Sequence, residues 1–382
     1  MTSKNKILFT NQLFNDRERK NLLFLNLIKK HATTSRTEMS KQSDINIVTV
    51  SNYVNNYLKK GLVLERGYDI SSGGRRPELI ELNKEWGCMI GIDVGESLIK
   101  GILIDLTVST LSESSIIYKE KLSEVRTDDL ENYITETTKN LINKAKVDSS
   151  RVKNIGVGIS STSNNIVEKI INMKDKIESE TGLSVLIGSG AVCAAFGEKD
   201  LNPEARNVSN LLYIYTDLGE GVIIKDEEFY EANPAKVEYA YLKKWNKNLS
   251  MSEEAKKIVE KGIGTRIVDM AKGDINNITT GTVVEAAKEK DEVAMDLVKT
   301  AGTNLGVRVT YLINSFRPET VIVGGGIEKA EKLFMDPLTE SVKRFVLQDM
   351  QGKVKLVPAV LGEEACVKGV ALLATREAFI DA

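Results

Sequence analysis

Cysteine and histidine are scarce: the 382 residues hold three cysteines and one histidine. Cys88, Cys193 and Cys366 lie far apart and match neither a disulfide framework nor the paired spacing of a metal site, so they read as reduced core thiols. Long hydrophobic runs are missing as well. A membrane-spanning helix needs about 20 predominantly apolar residues. The longest candidate, Ile90 to Leu106, is interrupted by Asp93, Glu96, Lys100 and Asp105. The apolar stretch within Met1 to Phe14 is too short for a signal peptide. These absences predict a cytoplasmic protein with no membrane partner. With 28 glycines and six prolines, the composition is neither collagenous nor that of a disordered chain.

What is present is an ordinary globular balance, 42% hydrophobic and 28% charged, in a chain long enough for two or three domains with cores of their own. The charge is unevenly placed. Residues 1–85 carry 15 basic and nine acidic side chains, a net of +6, whereas the remainder carries 37 and 45, a net of −8. A basic segment on an acidic body suggests a head that binds a polyanion, although charge alone leaves open a fluctuation of surface composition.

The head has a readable order of elements. Arg19 to Lys30 places apolar residues at 22, 23, 25, 27 and 28, an amphipathic helix with a basic end. Ser35 with Glu38 three residues on has the pattern of a capping box and opens a second helix. A third helix is expected from about Ile47 to Lys60, with Ile47, Val50, Val54 and Leu58 as its buried stripe and Thr49, Ser51, Asn52 and Asn55 on other faces. Gly61 stands where a helix-ending glycine belongs. Two short strands, Leu62–Arg66 and Glu78–Leu82, then flank a loop that contains Gly73-Gly74-Arg75-Arg76-Pro77. Three helices followed by a hairpin predict a winged helix-turn-helix. Thr49, Ser51, Asn52 and Asn55 are then the candidates for the major groove and its phosphates, and Arg75 and Arg76 are candidates for the minor groove. A small helical docking domain with a solvated basic loop is the alternative.

The body alternates strands and helices. Ile90-Gly-Ile-Asp-Val-Gly followed by Ile102-Leu-Ile-Asp-Leu reads as a β-hairpin. Further strands are expected at 154–159, 184–187, 211–215, 221–224, 320–323 and 353–358. Helices are expected at 128–146, 191–198, 252–270, 282–288 and 291–315. The order predicts α/β lobes.

Head and body together resemble the ROK family (repressor, open reading frame, kinase), and in particular its regulators of the xylose and N-acetylglucosamine repressor type. The resemblance runs from about Arg19 to Ala374. It rests on Thr49-Val-Ser, Lys59-Lys-Gly-Leu-Val, Gly73-Gly-Arg-Arg-Pro, Leu82-Asn83, Ile90-Gly-Ile-Asp-Val-Gly, Asp105, Ala194-Ala-Phe-Gly-Glu198 and Val321-Ile-Val-Gly-Gly-Gly-Ile327. It implies an α/β architecture in which an N-terminal winged helix-turn-helix precedes a two-lobed, actin-like or sugar-kinase-like (ribonuclease H-like) body. The domains implied are 1–85 for the head with its wing and linker, 86–190 for the first lobe with 365–382 returning to it, and 191–364 for the second lobe and dimerisation region.

The departures from the family pattern bear on activity. The family's kinases carry Asn-Asp before the Ala-rich helix, the Asp being the base for the sugar hydroxyl; Ser189 and Gly190 stand there in this chain. Glycines of the phosphate loops are replaced by Glu96, Tyr215 and Asp217, and added carboxylates oppose a nucleotide triphosphate. The zinc-ligating His is replaced by Tyr241, and no cysteine lies between 194 and 365, so neither metal nor cofactor is expected. Ser160, Ser161, Ser189 and Glu238 remain as weak candidates for an effector site.

The function implied is a non-enzymatic, DNA-binding transcriptional regulator, a repressor of carbohydrate-related genes with a catalytically inactive kinase-like domain. Its partners would be double-stranded operator DNA, a sugar or sugar-derivative effector, and further copies of itself in a homodimer or tetramer. The alternatives are a DNA-binding or scaffold protein without effector, or an active sugar kinase that carries a head.

Overall fold

The computed structural model describes residues 14–68, 77–118, 122, 124–161, 166–216, 220–225, 228–232 and 251–382. Two compact units are formed, one by the chain up to Cys193 together with Cys366–Ala382, the other by Ala194–Ala365.

Unit 1 opens with α1 (Asp16–His31), β1 (Thr33–Ser35), α2 (Arg36–Ser43), α3 (Ile47–Lys59), β2 (Val63–Tyr68) and β3 (Glu78–Leu82). Each helix start has a side chain that satisfies an otherwise open amide. Asn15 and Glu18 form a reciprocal capping box on α1. The Glu38 amide donates to Ser35 Oγ at 3.2 Å, and the Thr49 amide donates to Asn46 Oδ1 at 2.8 Å. After α3 the chain turns through Gly61, whose φ of +69° suits a residue without a Cβ. β2 and β3 pair antiparallel, and the unexpected short strand β1 adds to β3, giving the order β1-β3-β2. Three helices and an antiparallel strand pair thus stand in the order expected for a winged helix-turn-helix.

The stripe that α3 buries differs from the sequence expectation. Val50, Val54 and Tyr57 are fully buried, while Ile47 is 43% exposed and Val48 66%. Tyr57 displaces Leu58 because its ring fills the core while its hydroxyl donates to Asn21 Oδ1 at 2.8 Å; a phenol with a buried acceptor behaves as a core residue.

The first lobe follows: β4 (Cys88–Gly95), β5 (Leu98–Asp105), β6 (Thr110–Ile117), α4 (Thr127–Ala145), β7 (Val152–Ser160), α5 (Ile166–Thr181), β8 (Ser184–Ser189) and α6 (Gly190–Leu201). Its sheet order is β6-β5-β4-β7-β8, antiparallel as far as β4 and parallel from there.

Unit 2 takes the rest of α6, then β9 (Asn210–Tyr215), β10 (Glu220–Lys225), β11 (Glu228–Ala232), α7 (Met251–Glu260), α8 (Ile267–Met270), α9 (Thr280–Lys288), α10 (Glu292–Phe316), β12 (Thr320–Gly324), α11 (Lys332–Phe345) and β13 (Lys355–Pro358). The single helix expected over 252–270 is two, separated at Gly262, where φ is +75°. The sheet order β11-β10-β9-β12-β13 repeats that of the first lobe, a three-stranded meander extended by two parallel strands, as a duplicated kinase-like fold requires. α10 and α11 pack closely because a Cβ on Gly302 or Gly306 would lie 2.5 or 2.6 Å from the Phe334 or Leu338 carbonyl oxygen.

The chain returns to unit 1 as α12 (Ala365–Ile380). This helix lies directly on the sheet. A Cβ on Gly91 would come within 2.6 Å of the Val367 carbonyl oxygen, and one on Gly156 within 2.7 Å of the Val370 carbonyl oxygen. Farther along, Phe379 and Ile380 enter the same core as Phe24, Val54 and Ile80 of the head and Met89 and Ile102 of the lobe. Head and first lobe therefore share one hydrophobic core instead of being joined by a free linker.

Candidate DNA-binding and effector sites

With Val50, Val54 and Tyr57 inward, the opposite face of α3 carries Val48, Asn52, Asn55 and Lys59, at spacings of four, three and four residues, all exposed. Asn52 and Asn55 are thus brought together on one stripe. Thr49 and Ser51 flank it, half-buried. Val48 and Lys59 were missed in the sequence because the stripe was counted from Ile47. A methyl-bearing side chain at the N-terminal end of the polar stripe suits a thymine methyl group, and a lysine at the other end suits a phosphate.

Arg36, the first residue of α2, ties this face to the wing. Its guanidinium donates to Asn55 Oδ1 at 3.3 Å, Glu65 Oε1 at 3.2 Å and Glu78 Oε2 at 3.1 Å. It therefore links the exposed stripe to both strands of the wing, and it leaves the Asn55 amide nitrogen for an outside acceptor. No sequence spacing marks this role, since the four residues come from four elements. Arg75 and Arg76 lie outside the described residues.

The second candidate site lies at the C-terminal ends of β4, β7 and β8, where α/β sheets present ligand-binding loops. Ser160 ends β7, with Ser161 next to it. Ser161 Oγ donates to Glu96 Oε1 at 2.8 Å, pinning the hairpin turn after β4 to the end of β7. Ser189 ends β8 and its hydroxyl accepts from the Val192 amide at 3.3 Å, so it caps α6. Glu238 lies outside the described residues, as do residues 162–165 and 217–219.

Asp93, on β4, belongs to this corner. Burial pushes its carboxyl above the ordinary range, against the opposing pull of Ser160, Cys366 and Lys100. Asp93 Oδ1 and Ser160 Oγ are buried atoms without a hydrogen bond of ordinary geometry. Gly190 closes the corner. A Cβ there would lie 2.7 Å from the Ile159 carbonyl oxygen and 2.8 Å from Ser160 Oγ. Position 190, which the family resemblance sets against the kinases' base, therefore lacks a side chain and lacks the room for one. The corner offers hydroxyls and a carboxyl to a small polyol, and nothing at position 190 to take its proton.

Deeper in the same unit, a Cβ on Gly158 would meet Cys366 Sγ at 2.7 Å and Cys193 Sγ at 3.2 Å. Burial, together with Cys193 and Asp93, raises the Cys366 thiol well above its ordinary range, so it behaves as a packed thiol. Among the described residues no group of three or more His, Cys, Asp or Glu side chains is placed to hold a metal; Tyr241 lies outside the described residues.

Comparison with known proteins decides the family. The model of the ROK family matches residues 89–231 and 256–377. The chain belongs to the ROK family. It is similar to the xylose repressor of Caldicellulosiruptor bescii, 28% identical over an alignment of 382 positions that covers 91% of this chain and 93% of that repressor. Among solved structures, a ROK family transcriptional regulator described as a homologue of the E. coli MLC protein superposes with a TM-score of 0.72 at 18% identity, covering 96% of this chain and 97% of that one. A ROK family glucokinase from Streptomyces griseus, in complex with glucose and AMPPNP, superposes with a TM-score of 0.60 at 20% identity, covering 75% of this chain and 99% of the kinase. At these identities the superpositions establish the fold. This ROK protein exceeds the kinase in length by about the size of its head, and no helix among its described residues is long and apolar enough to cross a membrane.

Proposed function

We propose that this ROK protein is a DNA-binding repressor of carbohydrate-related genes whose kinase-like body senses a small sugar or sugar derivative without phosphorylating it. The observation that carries the reading is the α3 stripe of Val48, Asn52, Asn55 and Lys59, displayed on a head that shares its core with the first lobe. In this arrangement the stripe enters the major groove, Asn52 and Asn55 pair with base edges, Thr49 and Ser51 approach phosphates, and Arg75 and Arg76 reach the minor groove from the wing. The similarity to a xylose repressor over nine-tenths of the chain supports the carbohydrate assignment.

The effector binds the corner formed by Ser160, Ser161 and Ser189, and Glu238 remains a candidate from the sequence alone. α12 couples the two functions. Its first turn places Cys366 against Gly158 and Asp93, and its last turn places Phe379 and Ile380 in the head's core. Sixteen residues of helix span about 24 Å, so a shift at the effector end reaches the head through a rigid element. Self-association supplies the second head that a two-fold operator requires. Catalysis is absent because Gly190 supplies no base.

Gel shift of the purified full chain on its own upstream DNA, with and without sugars, tests the reading. Retention on that DNA and release by a sugar support it; retention unaffected by any sugar removes the effector.

A further inference from the structure

A cavity of about 270 Å³ lies where the head meets the first lobe, away from the β-strand ends just described. It is a little smaller than the ~300–1,000 Å³ of drug-sized sites, which suits a metabolite of a few carbons. Three features of its wall point to a ligand.

The first is Lys153. The aliphatic stem of this residue packs against Gly87, where a Cβ would come within 2.6 Å of Lys153 Cε. Its ammonium is held 4.8 Å from the centre of the Trp86 ring, an attractive cation–π placement. Among the described residues no carboxylate is ion-paired with it, unlike Lys176 or Arg151. It is a positioned cation with no counter-ion among those residues.

The second is Asn154. This residue is 8% exposed. Its Nδ2 donates to the Ala374 carbonyl at 3.0 Å, which fixes the amide, and its Oδ1 is buried without a partner. An orphaned buried acceptor is destabilising, and a donor at the site relieves that cost. The third is the mixture of charge around the rim. Glu377 and Asp381 share the wall with Lys153 and Ser184, so a simple anion is opposed on one side. A molecule with an anionic end and hydrogen-bond donors on the adjacent carbon satisfies both.

We propose that this cavity is a second, regulatory ligand site, and that its ligand is a small carboxylate bearing a hydroxyl or ammonium group on the neighbouring carbon, an α-hydroxy or α-amino acid. The carboxylate pairs with Lys153 and Ser184, and the donor group meets Asn154 Oδ1 and the acidic rim. The position gives the site a consequence. Trp86 Nε1 donates to the Lys60 carbonyl at 3.1 Å, and Lys60, at the end of α3, also bonds the carbonyl oxygen of Ala382. A ligand on Lys153 therefore tightens the contacts that hold the recognition helix on the lobe. Binding at the cavity is independent of the DNA-binding reading; only its effect on DNA rests on that reading.

Titration calorimetry of the full chain with L-serine, L-glutamate, D-glycerate and D-gluconate tests the site, with propionate and glycerol as controls that lack the donor and the anion. Binding of at least one of the four acids and of neither control is expected. Lys153→Gln, which keeps the stem on Gly87, and Ser184→Ala should both weaken it, the former at least about tenfold. Serine and glutamate against glycerate and gluconate distinguish the amino from the hydroxy class. Absence of binding by all four, equal binding of propionate, or affinity unchanged in both variants overturns the proposal. Gel shift with the bound acid reads the coupling separately. If the acid binds but leaves DNA affinity unchanged, the regulatory role is overturned; if the acid binds and the protein retains no DNA at all, the DNA-binding reading is what fails.

Discussion

Gly190 and Ser160 leave no space between them: a Cβ on the glycine would lie 2.8 Å from the serine Oγ and 2.9 Å from its Cα. The close approach of β7 to α6 therefore leaves no room for a side chain at position 190, and on the proposed reading this excludes a base there by packing as well as by sequence. Gly190→Asp should not restore phosphotransfer, although a general base is typically worth ~10²–10⁴-fold. It should instead destabilise unit 1 by about 1–3 kcal/mol, the usual cost of overpacking. A coupled ADP-release assay and urea denaturation of the variant check both halves. Sugar-dependent turnover in the variant would show that the corner still accepts a catalytic geometry.

The exposed stripe of α3 predicts separable effects on DNA binding. Asn52→Ala and Asn55→Ala should each cost about 1–3 kcal/mol of affinity for the specific site and little on unrelated DNA. Lys59→Ala should weaken binding to all sequences and lower the salt slope by about one. Val48→Ser should act like the asparagines, on sites that place a thymine beneath it. Anisotropy titrations on matched and scrambled duplexes separate the two patterns.

Arg36 holds Asn55, Glu65 and Glu78 at once, so Arg36→Ala should loosen the wing from α3. Operator affinity should fall by about tenfold or more, because Asn55 is no longer held in place and a lost base-edge contact is worth ~1–3 kcal/mol, and the melting temperature should fall as well, since hydrogen bonds within the head are lost. Equal loss in Arg36→Lys, which retains the charge but not the fork, would confirm that geometry is what matters; full activity in Arg36→Lys would assign the role to charge alone.

Phe379 sits in the core that α12 shares with the head. Phe379→Ala should cost about 3–5 kcal/mol and should lower the stability of head and first lobe together, in one transition. Limited proteolysis that releases an intact, DNA-binding head from the native protein would contradict the shared core.

Unit 2 has a comparable internal anchor. Glu198 is fully buried, and its carboxylate accepts from the Val360 amide at 3.0 Å, the Leu361 amide at 2.8 Å and Asn202 Nδ2 at 2.9 Å. Glu198→Ala strands these donors and should destabilise the unit by several kcal/mol, since each buried orphan costs ~1–3 kcal/mol. Glu198→Gln keeps one acceptor oxygen and should cost less. Chemical denaturation of the two variants compares them directly.

Much of this molecule was legible before the structure. The caps Ser35 and Gly61, the hairpin Ile90 to Leu106 and the strand near Val321 are local signals, and they appear where propensity and periodicity put them. Two of the misreadings share a cause, that the deciding partner was distant in sequence. Tyr57 joins the buried stripe because Asn21 accepts its hydroxyl. The short strand β1 exists because β3 pairs with it. The 252–270 helix is broken by a left-handed glycine that its apolar period did not reveal. The same holds for the sites. The polar faces of α3 were readable from the sequence, but Arg36 reaches Asn55, Glu65 and Glu78 from another element, and the crowding of Gly190 by Ser160 arises only when β7 and α6 are brought side by side.

The central claim, that α3 reads DNA in a sequence-selective way, is tested most directly by fluorescence anisotropy of the purified protein on its own upstream region and on unrelated DNA, at low and at physiological salt, alongside the Asn52→Ala, Asn55→Ala double variant. The account predicts tighter binding to the upstream region that persists at physiological salt and is lost in the double variant. Equal binding to both duplexes that vanishes at physiological salt would contradict it, and would reduce the head to an electrostatic patch.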